Sequence, residues 1–287
     1  MKITEISLTN DIAVVFVLYY PEEPQVKQTI SAIEYFPIAI VIDNSPISCK
    51  QLEEKKGNLT YLHFPDNAGM AKALNIAADY SLKQNMKFLL TMDQDSLFPF
   101  EKLHLLRAAM DDLPDAGIVA AWPWHELRVA KPKPAGIDEV LLTLTSGNLL
   151  RLEAWINTGG FDEKIFIDFV DTDFCLVLRE AGYKTYIHNE VIMTHSQGNI
   201  QRVKIFGKRV HVYHFAPIRW YYRTRNLFYL VKKHKHSFRE QMVIEKRDSV
   251  KEVLKMLLIE KDVIKKCRYI LKGFLDFLLK RFGKINS

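Results

Sequence analysis

Short apolar runs alternate with amphipathic segments along the first 120 residues. Each run has the length of a buried strand and ends in a polar turn, whereas the segments between them repeat apolar residues at helical spacing. The predicted strands are 13–18, 38–42, 59–64, 88–92 and 118–121, and the predicted helices are 24–33, 71–82 and 99–110. Strands that alternate with helices predict an α/β protein with a mostly parallel, doubly wound sheet.

The pattern is less regular after residue 121. Residues 122–138 contain three prolines and two tryptophans, which predicts an irregular insertion. Beyond it, the predicted strands are 140–145, 184–187 and 191–194, and the predicted helices are 149–157 and a segment that starts at Asp171 or Thr172 and stops at Gly182.

Charge separates an acidic body from a basic tail. Residues 216–287 contain 19 Lys/Arg and 7 Asp/Glu, whereas residues 1–215 contain 21 Lys/Arg and 27 Asp/Glu. In 261–284 the apolar residues follow a helical period and basic residues lie between them, a pattern typical of a helix in a membrane interface. Its apolar residues are Ile264, Cys267, Ile270, Leu271, Phe274, Leu275, Leu278 and Phe282. The alternative is that this stripe packs on the rest of the chain or on a second copy.

Composition narrows the class of protein. Hydrophobic residues make up 48% of the chain and charged residues 26%, which excludes disordered and collagen-like proteins. The three cysteines, Cys49, Cys175 and Cys267, are too few and too far apart for a disulfide framework or a cysteine-rich zinc site. The first residues lack the apolar region of a signal peptide. We therefore expect a cytoplasmic protein.

Polar residues follow three of the predicted strands, at 43–45, 66–69 and 93–95. In an open α/β sheet the carboxyl ends of parallel strands share one rim, and ligands bind there. Asp43 could accept a hydrogen bond from the N3–H of a pyrimidine base, or it could form an Asx turn. Lys72, near the start of its helix, could meet a phosphate or remain solvated.

Two carboxylates, Asp93 and Asp95, follow the apolar run at 88–92. Acids this close repel each other unless a cation lies with them, and a divalent cation shared with a substrate diphosphate meets that requirement. His195, at the end of another predicted strand, is a candidate third ligand, although a single histidine can equally be structural. The alternative for the two acids is an acidic turn or a helix cap.

Three further acids, Asp168, Asp171 and Asp173, lie at the start of a predicted helix. The helix dipole keeps a carboxylate there ionised. Such a group could take a proton from a substrate hydroxyl. The alternative is that these acids only cap the helix.

The ordered set of motifs resembles the family 2 glycosyltransferases of the GT-A fold, and within them the bacterial rhamnosyltransferase-like group. The matching stretches, in the family's order, are 43–45, 67–75, 92–96, 145–149, 166–176, 195–198 and 217–226. The resemblance implies a GT-A catalytic domain at 1–215, with a nucleotide-sugar half at about 1–121 and an acceptor half at about 140–215. A basic, mostly helical extension would follow at 216–287.

The resemblance also implies roles for individual residues. Asp171 would be the general base. The metal would be bound by Asp93, Asp95 and His195, and the nucleotide-sugar by Tyr19, Asp43, Asn67, Lys72, Asp93, Ser146 and Gly147. The residues left for acceptor contacts, or without a defined role, are Asp168, Asp173, Arg219, Arg223 and Asn226. The family often has arginine where this chain has Val177, so a role for an arginine there is in doubt, although Arg179 is near.

The expected activity is metal-dependent, inverting transfer of a sugar to a saccharide hydroxyl in cell-surface polysaccharide synthesis, with Mg²⁺ or Mn²⁺ as cofactor. The donor would be dTDP-rhamnose or, alternatively, a UDP-hexose or UDP-galactofuranose. A lipid-linked acceptor would place the protein at the inner face of the cell membrane, without a nucleic-acid partner, and its C-terminal helices would bind anionic lipid or a second subunit. The alternatives of another class are a haloacid-dehalogenase-like phosphatase and a non-catalytic nucleotide-sugar binding protein.

Overall fold

The computed structural model describes residues 10–124, 135–195, 201–205 and 208–285, with backbone alone for 195, 204–205 and 208–209. Its contacts divide it into two units. The first contains the described residues up to Glu163 and those from Val170 to the end of the 184–195 strand. The second contains Lys164–Phe169 and the described residues from Gln201 onward. The domain boundary predicted at 215/216 lies inside the second unit.

The first unit is built on one large sheet. Its strands are β1 (Ile12–Leu18), β2 (Ile38–Asp43), β3 (Leu59–His63), β4 (Phe88–Asp93), β5 (Ser96–Leu97), β6 (Ala116–Trp124), β7 (Ile137–Val140), β8 (Asn148–Arg151) and β9 (Lys184–His195). They lie in the order β3-β2-β1-β4-β8-β6-β9-β5, and β7 pairs with β9. The pairs among β1 to β4 are parallel, as is β6 with β9, whereas β8 is antiparallel to both neighbours. The predicted α/β class with a mostly parallel sheet is confirmed.

Helices cover this sheet because their apolar residues recur on one face. They are α1 (Glu23–Ile33), α2 (Lys50–Glu53), α3 (Met70–Lys83), α4 (Leu103–Asp112), α5 (Leu152–Thr158) and α6 (Val170–Glu180), and a 3₁₀ turn at Phe100–Lys102 precedes α4. Every residue of β1 is buried, as expected of a strand covered on both faces. Val26, Ile33 and Leu106 from the helices join β1 in the main core.

Four of the predicted elements beyond residue 121 were wrong in part. The strand predicted at 140–145 ends at Val140, because the carbonyl of Thr145 accepts a hydrogen bond from the Thr91 hydroxyl instead of joining a strand. The helix predicted at 149–157 begins only at Leu152, since the preceding residues form β8 in the centre of the sheet. The two strands predicted at 184–187 and 191–194 are one strand, β9, with a bulge opposite Ala121 and Trp122.

The second unit combines a strand pair with three helices. β10 (Gln201–Ile205) and β11 (Lys208–Val212) are antiparallel and were not predicted. The helices are α7 (Pro217–His234), α8 (Arg239–Ile259) and α9 (Val263–Leu278), in agreement with the predicted helical extension. Helices α7 and α9 approach closely at Gly273, where a Cβ atom would lie 2.4 Å from the carbonyl oxygen of Tyr221. Within the described part of the chain, no helix combines the length and the apolar character needed to cross a membrane.

Candidate functional site

Asp93 and Asp95 lie at the carboxyl end of β4, on a turn that is fixed from two sides. The side chain of Gln94 accepts a hydrogen bond from the Tyr19 backbone N–H at 2.7 Å and donates one to the Tyr19 carbonyl at 3.1 Å. The backbone N–H of Asp93 donates to the Ser146 hydroxyl at 3.0 Å. Both carboxylates are partly exposed. The end of β1 and the loop before β8 therefore set the position of the two acids.

The backbone of His195 lies beside this turn. β5 pairs with β9 in the antiparallel sense, with Ser96 opposite His195, so His195 is close to the position next to Asp95. The side chain of His195 lies outside the described atoms, and the described side chains assemble no group of three metal-ligating residues. Carboxylate oxygens are the donors that Mg²⁺ and Mn²⁺ accept readily. The two acids, with a histidine backbone beside them, fit the predicted metal.

Asp43 lies at the end of β2 and is fully buried. One carboxylate oxygen accepts from the Ser45 N–H at 2.9 Å, which is the Asx-turn alternative. The other accepts from the Tyr61 hydroxyl at 2.6 Å and the Cys49 N–H at 3.2 Å. Burial, together with the hydrogen bond to Asp43, raises the pKa of Tyr61 well above its ordinary value. The carboxylate therefore organises the loop after β2, and its contact with a base stays a prediction.

The loop before α3 is shaped by two asparagines. Asn67 has φ of 55°, and its side chain accepts from the Gly69 N–H at 2.9 Å. The side chain of Asn44 accepts from the Ala68 N–H, also at 2.9 Å, and so ties this loop to the end of β2. Lys72 is exposed in the first turn of α3, where a cation is available to a ligand phosphate.

Ser146 and Gly147 are inserted between two strands rather than displayed on the surface. Ser146 is buried, and its hydroxyl accepts from Asp93 as described. Gly147 has φ of 76°, and an added Cβ would lie 2.7 Å from Sδ of Met193. Its N–H donates to the Thr91 carbonyl at 2.8 Å. Ser146 thus positions Asp93 through a hydrogen bond. The contact of Ser146 and Gly147 with a donor sugar stays a prediction.

Asp171 lies in the first turn of α6 and lines a cavity within the first unit. The cavity is also lined by Thr91, Thr145, Asn148, Phe161, Phe174 and Cys175. Thr91 is two residues before Asp93 in β4, and Thr145 directly precedes Ser146. The cavity thus brings the predicted base to the strand that carries the two acids. Asp173 is buried by comparison.

Cys175, one turn after Asp171, is not a nucleophile candidate. Burial raises the pKa of its thiol to about 12, and the nearby negative charge of Asp171 acts in the same direction. The thiolate is the reactive form of cysteine, so this side chain remains an inert part of the cavity wall.

The remaining predicted residues lie together in the second unit. The Asp168 carboxylate is ion-paired with Arg219 and, at 3.4 Å, with Arg223. The side-chain amide of Asn226 donates to the carbonyls of Ile167 at 2.7 Å and Asp168 at 3.3 Å. These residues hold the segment 164–169, which directly precedes α6 in the chain. Their contacts with an acceptor stay a prediction.

Sequence reasoning assigned no role to three side chains that shape the site. Gln94 holds Tyr19, and Tyr61 holds Asp43. The half-buried side chain of Asn75 accepts a hydrogen bond from the Phe161 N–H at 2.9 Å. Gln94 and Asn75 stand inside motifs quoted above, which was the available signal. Arg179, the arginine near Val177, forms an ion pair with Glu139 at 2.7 Å and does not replace the missing arginine.

A family of known proteins and a named relative match this sequence. The sequence profile of the family described as "Glycosyl transferase family 2" matches residues 14–181. That range includes Asp43, Asp93, Asp95 and Asp171. The dTDP-rhamnosyl transferase RfbF of Shigella flexneri is 28% identical over 246 residues, which cover 79% of this chain and 81% of that protein.

Solved structures resemble the whole described fold. The structure of S. aureus TarS 1–349 matches with a TM-score of 0.58 and 15% identity, over 94% of this chain and 82% of that one. GalNAc-T7, crystallised with UDP, GalNAc and Mn²⁺, matches with a TM-score of 0.61 and 12% identity, over 95% of this chain and 56% of that one. At these identities the likeness shows the fold alone, and that fold is the predicted GT-A type.

Proposed function

Because the chain belongs to glycosyl transferase family 2, we propose that it transfers rhamnose from dTDP-rhamnose, with inversion, to a hydroxyl of a saccharide acceptor. The similarity to a dTDP-rhamnosyl transferase supports this choice of donor. One observation carries the proposed mechanism: Asp171 lines the same cavity as Thr91, in the strand that ends at Asp93. The base candidate thus lies near the strand that ends at a metal-binding candidate, which supports our proposal that the two act in one site. Membership of the family also sets aside the phosphatase alternative.

The metal-binding residues of the proposal are Asp93, Asp95 and His195. The two carboxylates stand on a turn fixed by Gln94, which keeps their oxygens at the end of β4. A bound Mg²⁺ or Mn²⁺ would supply Lewis-acid neutralisation of the departing nucleoside diphosphate.

Asp171 is the proposed general base. Its carboxylate takes the proton of the acceptor hydroxyl while that oxygen forms a bond to the anomeric carbon. The bond between the anomeric carbon and the diphosphate oxygen breaks in the same step, and its electron pair leaves with dTDP. Attack and departure on opposite faces invert the configuration, so no covalent sugar–enzyme intermediate is needed.

The donor would lie along the rim formed by the ends of β1, β2 and β4. We place Asp43 at the base, Tyr19 and Asn67 around the nucleoside and Lys72 at the diphosphate, with Ser146 and Gly147 next to the sugar. Tyr19 and Lys72 are exposed and available for contact. A UDP-sugar is the second candidate donor, because uracil and thymine present the same N3–H edge.

The acceptor we propose is a lipid-linked saccharide used in cell-surface polysaccharide synthesis. Asp168, Asp173, Arg219, Arg223 and Asn226 follow or flank the base candidate in the family's motifs. Of these, Arg219 and Arg223 already pair with Asp168, so we expect them to shape the acceptor side through the segment 164–169.

A screen of nucleotide-sugars for metal-dependent protection against thermal unfolding tests the proposal, since a ligand that binds only the folded state raises the melting temperature. We expect dTDP-rhamnose with Mg²⁺ or Mn²⁺ to protect more than UDP-sugars, and transfer to follow with the same donor. Protection by a UDP-sugar alone would shift the donor to the second candidate. Hydrolysis of simple phosphomonoesters without sugar transfer would refute the function.

A variant pair tests the metal assignment. Asp95→Ala should abolish the metal-dependent part of the protection, whereas Asp112→Ala, which alters an exposed acid on α4, should retain it. Undiminished metal-dependent protection in Asp95→Ala would show that Asp95 is not a ligand.

A further inference from the structure

Helix α9 packs within the second unit through a side that combines polar residues with aromatic ones. Lys266 and Asp276 are buried, whereas many of its leucines are exposed. Lys266 forms an ion pair with Glu260 at 2.6 Å, with both side chains covered. The carboxylate of Asp276 accepts a hydrogen bond from the Tyr221 hydroxyl on α7 at 2.9 Å. The usual arrangement of an amphipathic surface helix is the opposite, with its apolar face toward the protein.

Close packing fixes this orientation. At Gly273 the two helix backbones approach so closely that a Cβ atom would lie 2.4 Å from the Tyr221 carbonyl oxygen. Phe228 of α7 lies against Phe274 and Phe277, with ring centroids 4.9 and 5.5 Å apart. Rotating α9 to bury its leucines would break the close approach at Gly273 and expose the polar pairs. The outward direction of the leucines is therefore a property of the packed helix.

The exposed apolar residues form one stripe. Ile264, Leu271, Leu275 and Leu278 are 73%, 58%, 46% and 56% exposed. Their spacing of seven, four and three residues places them on a single helical face. Only part of the stripe identified in the sequence, such as Phe274, turns toward α7. The alternative that the stripe packs on its own chain is thus realised for Phe274 and Phe282 but not for these four exposed residues.

The charge around this stripe is almost entirely positive. In residues 261–281, all of which the structure describes, the exposed charged side chains are one acid, Asp262, and six bases. These bases are Lys261, Lys265, Arg268, Lys272, Lys280 and Arg281. The second acid of the stretch, Asp276, is buried against Tyr221 and pairs with Arg281 at 3.7 Å, which leaves five exposed bases without this acid beside them. An apolar face bordered by cations matches the headgroup and acyl layers of an anionic bilayer.

We propose that α9 binds the surface of a bilayer that contains anionic lipid, with the Ile264–Leu278 stripe inserted between the headgroups. Charge decides against a second copy of the chain as the occupant. A two-fold interface would bring the same cationic border of both copies together, and like charges in contact disfavour association. Binding is measured without donor or acceptor, so its outcome is independent of the proposed transferase activity.

Co-sedimentation of the full chain with vesicles tests the proposal. The vesicles are phosphatidylcholine alone, or a 3:1 mixture of phosphatidylcholine and phosphatidylglycerol, at low and at high NaCl. We expect binding to the anionic vesicles at low salt that weakens at least tenfold at high salt, because salt screens the headgroups. We expect little binding to phosphatidylcholine alone. Equal binding to both kinds of vesicle would refute the electrostatic part of the proposal.

Variants locate the contact. Leu271→Ser with Leu275→Ser removes two exposed side chains and should weaken vesicle binding at least tenfold while the melting temperature is unchanged. Ile156→Ser is the matched control, because Ile156 is 54% exposed on α5 in the first unit, and it should bind as the wild type does. Lys265→Glu should weaken binding to the anionic vesicles, whereas Lys56→Glu, in the loop before β3, should not.

Sedimentation velocity tests the alternative that the stripe is an interface between two copies of the chain. If the wild type fails to bind vesicles and forms a dimer that the Leu271→Ser/Leu275→Ser variant does not form, the stripe is an interface between two copies. Vesicle binding that survives loss of both leucines would place the lipid contact elsewhere on the chain.

Discussion

Substitutions at Asp43 test whether its carboxylate recognises the nucleotide-sugar donor or only holds the loop in which it lies. Three hydrogen bonds from within the chain reach its two oxygens, from Ser45, Cys49 and Tyr61. An ionised carboxylate has about four acceptor positions. One acceptor position therefore remains, on the oxygen that accepts from Ser45. Because Asp43 is fully buried, the N3–H of a pyrimidine base would reach this position only with a shift of the surrounding loop. Tyr61→Phe removes one donor and leaves the charge, whereas Asp43→Asn keeps the size and removes the charge.

The magnitudes follow from these contacts. Tyr61→Phe loses the 2.6 Å bond to the carboxylate and the 2.8 Å bond from the Cys49 N–H, although that N–H still reaches Asp43 at 3.2 Å. A hydrogen bond to a charged group contributes about 1.5–3 kcal/mol, so we expect the free energy of unfolding to fall by about 2 kcal/mol. Asp43→Asn replaces one carboxylate oxygen by an NH₂ group, and this donor then faces the Tyr61 hydroxyl and the Cys49 N–H. We expect it to lose at least as much stability.

The assay compares UDP with N3-methyl-UDP, which lacks the donor that Asp43 would read. If wild-type Asp43 accepts from N3–H, UDP should bind about thirtyfold more tightly, the value of a charge-assisted hydrogen bond of about 2 kcal/mol. In Asp43→Asn the ratio should fall to about fivefold, the value of a neutral hydrogen bond. In Tyr61→Phe the ratio should be preserved in spite of the lower stability. Calorimetric titration gives both affinities, and urea unfolding gives the stability.

Two results would refute this reasoning, and they are separable. Equal wild-type affinity for the two ligands would mean that Asp43 only organises the loop. A loss of less than about 0.5 kcal/mol in Tyr61→Phe would mean that the hydrogen bonds seen at the carboxylate contribute little, whatever the ligand data show.

Further predictions concern catalysis, packing and pH. Asp171→Asn should bind donor normally and lose at least about a hundredfold in turnover in steady-state assays, whereas Asp173→Asn should lose much less. A larger loss in Asp173→Asn than in Asp171→Asn would identify Asp173 as the base. Gly147→Ala should lower the free energy of unfolding in urea by about 2 kcal/mol, because of its positive φ and the contact with Met193. In a double-mutant cycle with Met193→Ala, the cost of Gly147→Ala should be smaller than in the wild type. Full stability of Gly147→Ala would contradict this account. Burial lowers the pKa of His188 in the folded state. As the pH falls, the unfolded state therefore binds a proton first, so the free energy of unfolding should decrease below about pH 6.5. His188→Gln should flatten the dependence of stability on pH between 7 and 5, and an unchanged slope would argue against it.

The sheet centre could be predicted from sequence because its strands are buried on both faces. The runs at β1, β2 and β4 contain almost nothing but apolar residues, and β2 and β4 each end in an aspartate that marks the rim. The same rule placed Asp93 and Asp95 at the end of β4. The rule fails for β8, which occupies the centre of the sheet with only four residues and runs directly into a helix.

Long-range contacts explain why the rest could not be read from the sequence. Residues 188–190 separate the two strands predicted from sequence, yet they belong to one continuous strand, which bulges after His188 where its register with β6 shifts. Asp43 carries the sequence signal of both a base reader and an Asx turn, and only the approach of Tyr61 shows how its oxygens are occupied. The period of α9 predicts an apolar stripe but not the side on which it lies, since that depends on Gly273 fitting against Tyr221.

The membership of residues 164–169 in the second unit bears on how relatives of this protein can be recombined. These six residues are held by Asn226, by Arg219 and, through the Lys164 carbonyl at 3.0 Å, by the Gly283 N–H near the end of the described chain. A chimera that exchanges only the residues after β9 would separate this segment from the helices that hold it, and would leave the Asp168 carboxylate without its two arginines. The natural unit of exchange is therefore discontinuous: a protein that contributes the C-terminal helices should also contribute its own version of 164–169, immediately ahead of α6, which stays with the recipient.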